Sequence, residues 1–396
     1  MSAIFSGSNP DETQKEWDPE RDGHDRFRGG GGGRMPPYKN CKHIILGIDG
    51  TWQAAYADMF QSNVHRLNVS LNFEQLSGDR KSQMFLYSAG VGTANESSRE
   101  FAGLTGEGVR EIVLQAYINL VSNYAPGDQI YLFGFSRGAV AARILAALIS
   151  RSGLLKPDYL SLIEHAWIDF VQDSPRLNYS ELRNVATHSN VKVEFLGLWD
   201  VVAGPLFSDT ERRKYRLKPF LDEVVKKAVH IVSIDERRWS FAPLLWEGCR
   251  ASQALEQIWL PGIHCDVGGG YQSTFLATTS LLLMIDRVAH HCPELSFDTN
   301  YVEGTLLGLI ESEDIVINHE RVVKERRRKF VQEVNFINSR HPLADLLVGK
   351  SIAIRNGPDL YIPAFENGAA MQPMKFAAPY TDRVIQAVKR KFDILS

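Results

Sequence analysis

Residues 130–149 run from a short apolar stretch, Ile130 to Phe135, through Gly134-Phe135-Ser136-Arg137-Gly138 into small and apolar residues, Ala139 to Ile149. The first stretch has the length and composition of a buried strand, and the second those of an apolar helix. No loop residues are left between them, so strand must become helix within a residue or two. Glycine at positions 134 and 138 permits this, because side chains there would clash where strand and helix nearly touch. Such a turn forces Ser136 into a strained backbone conformation with its hydroxyl exposed. An ordinary glycine-rich strand-to-helix turn is the competing reading.

The pattern around this feature is repetitive. His43–Asp49, Gln83–Ser88, Ile130–Phe135, Val191–Leu198 and Leu255–Leu260 read as strands. Glu107–Tyr124, with apolar residues at 109, 112, 113, 116, 117, 120 and 121, has helical spacing, as does Phe275–Ala289. Strands alternating with helices predict βαβ units and a parallel sheet. The expected fold class is α/β, with a mostly parallel central sheet, helices on both faces and insertions over one face of the sheet. Residues 151–190 and 204–228 are the candidate insertions. Within the first, Leu154 to Val171 has helical apolar periodicity and reads either as a lid or as a core-packed helix. In sheets of this kind ligands bind at the carboxyl ends of the strands.

The chain has 396 residues, a length that suggests two or three domains. The functional candidates below spread from Asp49 to His264, so no boundary falls between them. The expected division is a flexible tail over 1–38, a catalytic domain over 39–300 and an extension over 301–396 packed on it. The tail ends in the run Gly29–Gly33 followed by Pro36-Pro37, a linker composition. The formal net charge of −3 argues against a dedicated nucleic-acid binder. A basic run, Arg326-Arg327-Arg328-Lys329, sits in a charge-dense helical stretch, Glu320–Val334. It reads as a solvated face, with contact to lipid headgroups or a nucleic acid as the alternative. Cys41, Cys249, Cys265 and Cys292 form no Cys-x-x-Cys pair and read as free thiols. The start of the chain lacks the basic residues and apolar run of a signal peptide, and no apolar run reaches membrane-spanning length. The chain is therefore expected to be cytoplasmic as synthesised.

An elbow serine needs a base and an orienting acid, which follow it in the order Asp or Glu, then His. Glu194 to Asp200 ends an apolar strand with a carboxylate, and Ile258 to Asp266 ends another and delivers His264 in a turn. Ser136, Asp200 and His264 are the expected catalytic residues. Asp266 is the rival acid and His230 the rival base, although His230 alternates with apolar residues as in a strand interior. His290-His291 reads as a helix C-terminus, where cations are favoured. An oxyanion needs backbone donors, expected from Arg137 and from the loop Asp49-Gly50-Thr51-Trp52, with Gly50 allowing close approach. Asp49, Asp200, His264 and Asp266 together form a second reading, a divalent metal site. The serine reading calls for no cofactor and no metal.

Six motifs occur in order. They are Ile48-Asp49-Gly50-Thr51-Trp52, Gly90-Val91-Gly92-Thr93, Gly134-Phe135-Ser136-Arg137-Gly138-Ala139, Leu198-Trp199-Asp200, Ile234-Asp235-Glu236-Arg237-Arg238 and Pro261 to Tyr271, which reads PGIHCDVGGGY. Together they resemble the α/β-hydrolase family catalogued as domain of unknown function 2235. That family includes the catalytic domain of a class of type VI secretion phospholipase effectors. The resemblance spans about residues 41–290. It implies a serine lipase or esterase with Ser136 as nucleophile and His264 as base. Family members often carry a hydroxyl residue after the motif aspartate, where this chain has Val201. The region after 300 shows no secretion-adaptor pattern.

The leading expectation is cleavage of carboxylic esters, with a lipid, phospholipid or small ester as substrate. Transient contact with a membrane surface and export by a specialised secretion system go with it, and no nucleic-acid partner is expected. Two readings compete: a binding module on a catalytically degenerate hydrolase scaffold, and a metal-assisted hydrolase using the Asp cluster.

Overall fold

The computed structural model describes residues 41–50, 60–73, 82–90, 106–172, 179–204, 207–318, 337–348, 353–354, 374 and 378–392. The tail over 1–38, Thr51-Trp52, Val91-Gly92-Thr93 and the basic stretch 320–334 lie outside them. In chain order the elements begin with β1 (His43–Ile48), α1 (Asn63–Ser70), β2 (Gln83–Ser88), α2 (Gly106–Asn123), β3 (Gln129–Phe135) and α3 (Ser136–Ser152). Next come α4 (Ile163–Val171), α5 (Tyr179–Ala186), β4 (Val193–Trp199), α6 (Asp209–Lys214), β5 (Val225–Ser233) and β6 (Ala254–Leu260). They are followed by α7 (His264–Gly268), α8 (Phe275–His291), α9 (Leu307–Ser312), β7 (Val316–Ile317) and β8 (Ile337–Arg340). The last are α10 (Pro342–Leu347), β9 (Ala353–Ile354) and α11 (Pro379–Lys391).

Seven strands form one sheet in the order β2-β1-β3-β4-β5-β6-β8, and every neighbouring pair is parallel. The burial of the strands fits a parallel sheet covered on both faces. Every residue of β1 is buried, and so are Ile130–Phe135 of β3 and Leu255–Leu260 of β6. Strands covered on both faces need apolar residues at successive positions, not only at alternate ones. Alternate residues then feed two cores. Ile44, Leu46, Ile48, Ile130, Leu132, Leu196 and Leu198 face α2 and α3. Ile45, Tyr131, Phe133, Phe195, Val229, Ile231 and Ile258 face α1, α8 and α11.

Two sequence expectations are corrected here. Residues 204–228 do not all belong to an insertion, because β5 begins at Val225 and lies between β4 and β6. The nucleophile helix begins at Ser136 rather than Ala139, so the serine is itself the first helical residue. The region after 300 also supplies the edge strand β8 against Glu256–Trp259 of β6. Residues 151–171 resolve in favour of the core-packed reading. A short 3-10 turn, Pro157–Leu162, precedes α4, whose Trp167 and Phe170 are buried in the same core as α3.

Backbone meets backbone most closely where α3 crosses β1. A Cβ on Gly138 would overlap the carbonyl oxygens of Ile48 and Asp49. One on Gly134 would sit 2.7 Å from Gly138 O and Ala139 Cα. These neighbours are backbone and cannot move aside without shifting a central strand. We expect Gly138→Ala to lower stability by about 3 kcal/mol in urea titrations, at the severe end of overpacking. Gly308 in α9 has nothing within 4 Å of a built Cβ. There the same substitution should stabilise by about 0.5–1 kcal/mol through helix propensity. A neutral result at Gly138 would mean the crossing is not tight.

Candidate active site

Three parallel strands end on one edge of the sheet, and each delivers one candidate. Ser136 follows β3 directly, Asp200 follows β4 directly, and His264 opens α7 just beyond β6. Ser136 has φ 58° and Asp200 has φ 39°, in the left-handed region that non-glycine residues rarely occupy. Strain of this kind persists only where surrounding structure over-determines it, and it clusters at functional sites. Here the surroundings are the Gly134–Gly138 crossing and the continuation of the β4–β5 ladder, in which Asp200 N–H donates to Ile231 O at 2.8 Å.

The three side chains form one hydrogen-bonded row. His264 Nε2 lies 2.8 Å from Ser136 Oγ, and His264 Nδ1 lies 2.6 Å from Asp200 Oδ2. Asp200 is fully buried. It also accepts from Ser233 N–H at 3.0 Å and Ser233 Oγ–H at 3.1 Å. A carboxylate can only accept here, so it pairs with the imidazole tautomer that carries its proton on Nδ1. Nε2 is then the acceptor that faces the serine hydroxyl. Phe135 lies 4.6 Å from the imidazole and Phe241 5.0 Å, so rings bracket His264.

The rivals are placed elsewhere. Asp266 accepts from Ile263 N–H at 3.0 Å, Asn318 N–H at 3.1 Å and Asn318 Nδ2 at 2.6 Å. It caps its own turn and ties it to the chain after β7. His230 is fully buried inside β5. Its Nε2 accepts from Val201 N–H at 3.0 Å, which pins the residue after Asp200. Asp49 accepts from Gly50 N–H, Ser62 Oγ–H and Tyr87 OH at 2.7–2.8 Å. The four residues of the metal reading are therefore not brought to a common point. Among the described residues no group of three or more His, Cys, Asp or Glu is placed to hold a metal ion.

The expected oxyanion residues divide three ways. Arg137 lies in the first turn of α3, and burial pulls its guanidinium down to about 10, still a cation at neutral pH. Gly50 packs beside the serine, where a Cβ would lie 3.4 Å from Ser136 Cβ, but its N–H is donated to Asp49. It therefore supplies close approach and not a donor. Thr51 lies outside the described residues. Sequence reasoning missed Ser62, Asn63, Ser233 and Asn318. Asn63 donates to Val267 O and Ala277 O, joining α1 to α7 and α8. Single polar residues of this kind carry no pattern, and their partners lie far away in the chain.

The parallel sheet with helices around it defines the class, an α/β protein, and the polar row lies at the carboxyl ends of its strands, where such sheets bind ligands. The chain matches the family described as "T6SS, Phospholipase effector Tle1-like, catalytic domain" over residues 42–287. That is more than half its length, and the chain belongs to this family, a phospholipase-type hydrolase family. The Saccharomyces cerevisiae protein YEL023C, itself uncharacterized, is 28% identical over 234 residues, covering 51% of this chain and 32% of that protein. The chain thus spans about a third of the length of that relative. Among solved structures, an uncharacterized protein from Pseudomonas aeruginosa is 20% identical with a TM-score of 0.38, over 67% of this chain and 48% of that one. The Tle1 effector bound to the VgrG spike from the type VI secretion system is 22% identical with a TM-score of 0.34, over 59% and 52%.

Burial pushes the Asp266 carboxyl up to about 7, although the hydrogen bonds from Asn318 and Ile263 pull it down. The folded protein therefore keeps this proton through a pH range in which the unfolded chain, near 3.8, has lost it. Stability from this group is fully present below about pH 4 and is lost as pH rises to about 7. Each unit is worth about 1.4 kcal/mol. We expect Asp266→Asn, which imitates the protonated form, to flatten that slope in urea titrations from pH 4 to 7. Parallel curves for the two proteins would contradict the assignment.

Proposed function

We propose that the chain is a serine hydrolase that cleaves carboxylic esters of lipids or phospholipids through Ser136, His264 and Asp200. The observation that carries the reading is the row Ser136 Oγ to His264 Nε2 to Asp200, with spacings of 2.8 and 2.6 Å. Family membership supports the lipid substrate.

In this reading His264 Nε2 takes the hydroxyl proton as Ser136 Oγ attacks the acyl carbon. The carbonyl electron pair moves onto oxygen. Arg137 N–H, in the first turn of α3, is one donor to that oxyanion, and the residue after Gly50, Thr51, is the second. The imidazolium then gives its Nε2 proton to the leaving alcohol, which departs and leaves an acyl-serine. Water repeats the sequence: His264 takes a water proton, hydroxide attacks the acyl carbon, and the proton returns to Ser136 as the acid leaves. Asp200 keeps the Nδ1 proton in place and stabilises the imidazolium in both halves. Its own charge is held by Ser233.

The reading assigns residues 39–300 to the catalytic domain. Residues 301–396 form an extension that reaches back through Asn318 and β8. A lipid substrate brings transient contact with a lipid surface, and among the described residues no helix is long and apolar enough to cross a membrane. Export by a type VI secretion system is part of the same proposal.

Product analysis on a panel of phospholipids and neutral lipids tests the reading. Ser136→Ala should lose at least ~10³-fold in turnover while folding normally, and Asp200→Asn should lose about 10⁴-fold. Asp266→Asn should stay within about tenfold of wild type, because Asp266 does not touch His264. Full activity in folded Ser136→Ala would sink the proposal, and equal losses in the two Asp variants would reassign the acid.

A further inference from the structure

We propose that Glu236, Arg238 and Phe241 form a positioning device for His264, which holds the imidazole in register with Ser136 and Asp200. The proposal rests on the serine hydrolase reading and adds residues to it.

The segment after β5 carries a carboxylate that is 2% exposed, Glu236. A buried carboxylate is costly unless it is paired and hydrogen-bonded. Glu236 is both. It accepts from Arg238 Nε at 2.9 Å and from Arg238 Nη2 at 2.7 Å, a bidentate pair. It also accepts from Arg238 N–H at 2.8 Å and from His264 N–H at 3.3 Å. The last bond satisfies a donor at the start of α7 and fixes the backbone from which the imidazole projects.

The other end of the pair fixes the ring. The Arg238 guanidinium carbon lies 3.6 Å from the Phe241 ring centroid, a cation–π contact. Phe241 in turn stands edge-on to His264 at 5.0 Å and 77°. Phe135 lies on His264 at 4.6 Å and 32°. Glu236 thus reaches His264 by two routes, directly to its backbone and through Arg238 and Phe241 to its ring. The pairing also has an electrostatic consequence. Asp200, Glu236 and Arg238 are the charged groups in these contacts, and Glu236 cancels Arg238. The device can then sit beside a histidine that becomes a cation during turnover without opposing it. Either charge alone would disturb the ring that the pair steadies.

Arg238→Gln, Arg238→Lys, Glu236→Gln, the double Glu236→Gln/Arg238→Gln and Phe241→Leu are compared in the full chain. Hydrolysis of p-nitrophenyl butyrate gives kcat and KM, and circular dichroism melts report folding. We expect kcat to fall about 10- to 100-fold in Arg238→Gln, the scale of a small misplacement of a reacting group, with KM within about threefold. Arg238→Lys should recover part of the loss. The double variant should lose less than the product of the two single losses. Phe241 is half-buried, so Phe241→Leu reads the ring contact even where a charge variant does not fold, with about a tenfold loss in kcat expected. Wild-type kcat in folded Arg238→Gln and Phe241→Leu, or changes confined to KM or melting temperature, would overturn the proposal. If Ser136→Ala and wild type hydrolyse the ester equally, the serine reading has failed instead.

Discussion

Gly138 lies against the carbonyl oxygens at the end of β1, and no residue with a side chain fits there. That backbone contact lets α3 begin immediately after the last residue of β3 and holds Ser136 at φ 58°. It also brings the end of β1, with Gly50, beside the serine. The remaining pieces are arranged around this point by the parallel sheet. Parallel strands all end on one edge, so residues far apart in sequence meet there. Ser136 and His264 are separated by 128 positions and still lie within hydrogen-bond distance.

The carboxylates of this edge show how environment assigns roles to chemically equal groups. Asp200 is buried with three donors, one of them the imidazole. Asp49 accepts from Gly50 N–H and Ser62 Oγ–H, and Asp266 ties α7 to Asn318. Asp235 accepts from Gly262 N–H at 2.7 Å and closes the turn before His264, while Glu236 joins Arg238 to α7. Four of the five thus hold backbone in place, and that framework keeps the fifth and the histidine at their short distances. Strain at Ser136 and Asp200 is sustained by the same framework.

Much of this was legible in the sequence because it rests on local pattern. Buried strands appear as apolar runs, and the Gly134–Gly138 turn is readable from glycine spacing against a strand and a helix. Asp200 and His264 were readable as polar residues at strand ends. What was not legible depends on partners distant in the chain. Ser233, Asn63 and Asn318 are ordinary polar residues until the fold supplies Asp200, Val267 and Asp266. β8 is short and lies at the sheet edge, where the apolar signal is weak. β5 was only half visible because its first residues include Lys226 and Lys227. Asp266 lies two residues from His264, a spacing that suits orienting the turn better than the ring, and its bonds from Ile263 and Asn318 put it in that role.

The central claim is that Ser136 is an activated nucleophile, and covalent labelling tests it most directly. Folded protein treated with a fluorophosphonate probe, digested and analysed by mass spectrometry should carry one adduct, on Ser136. Labelling should vanish in Ser136→Ala and slow sharply in His264→Ala. An adduct on a different residue, or none on protein that is folded and active on esters, would contradict the account.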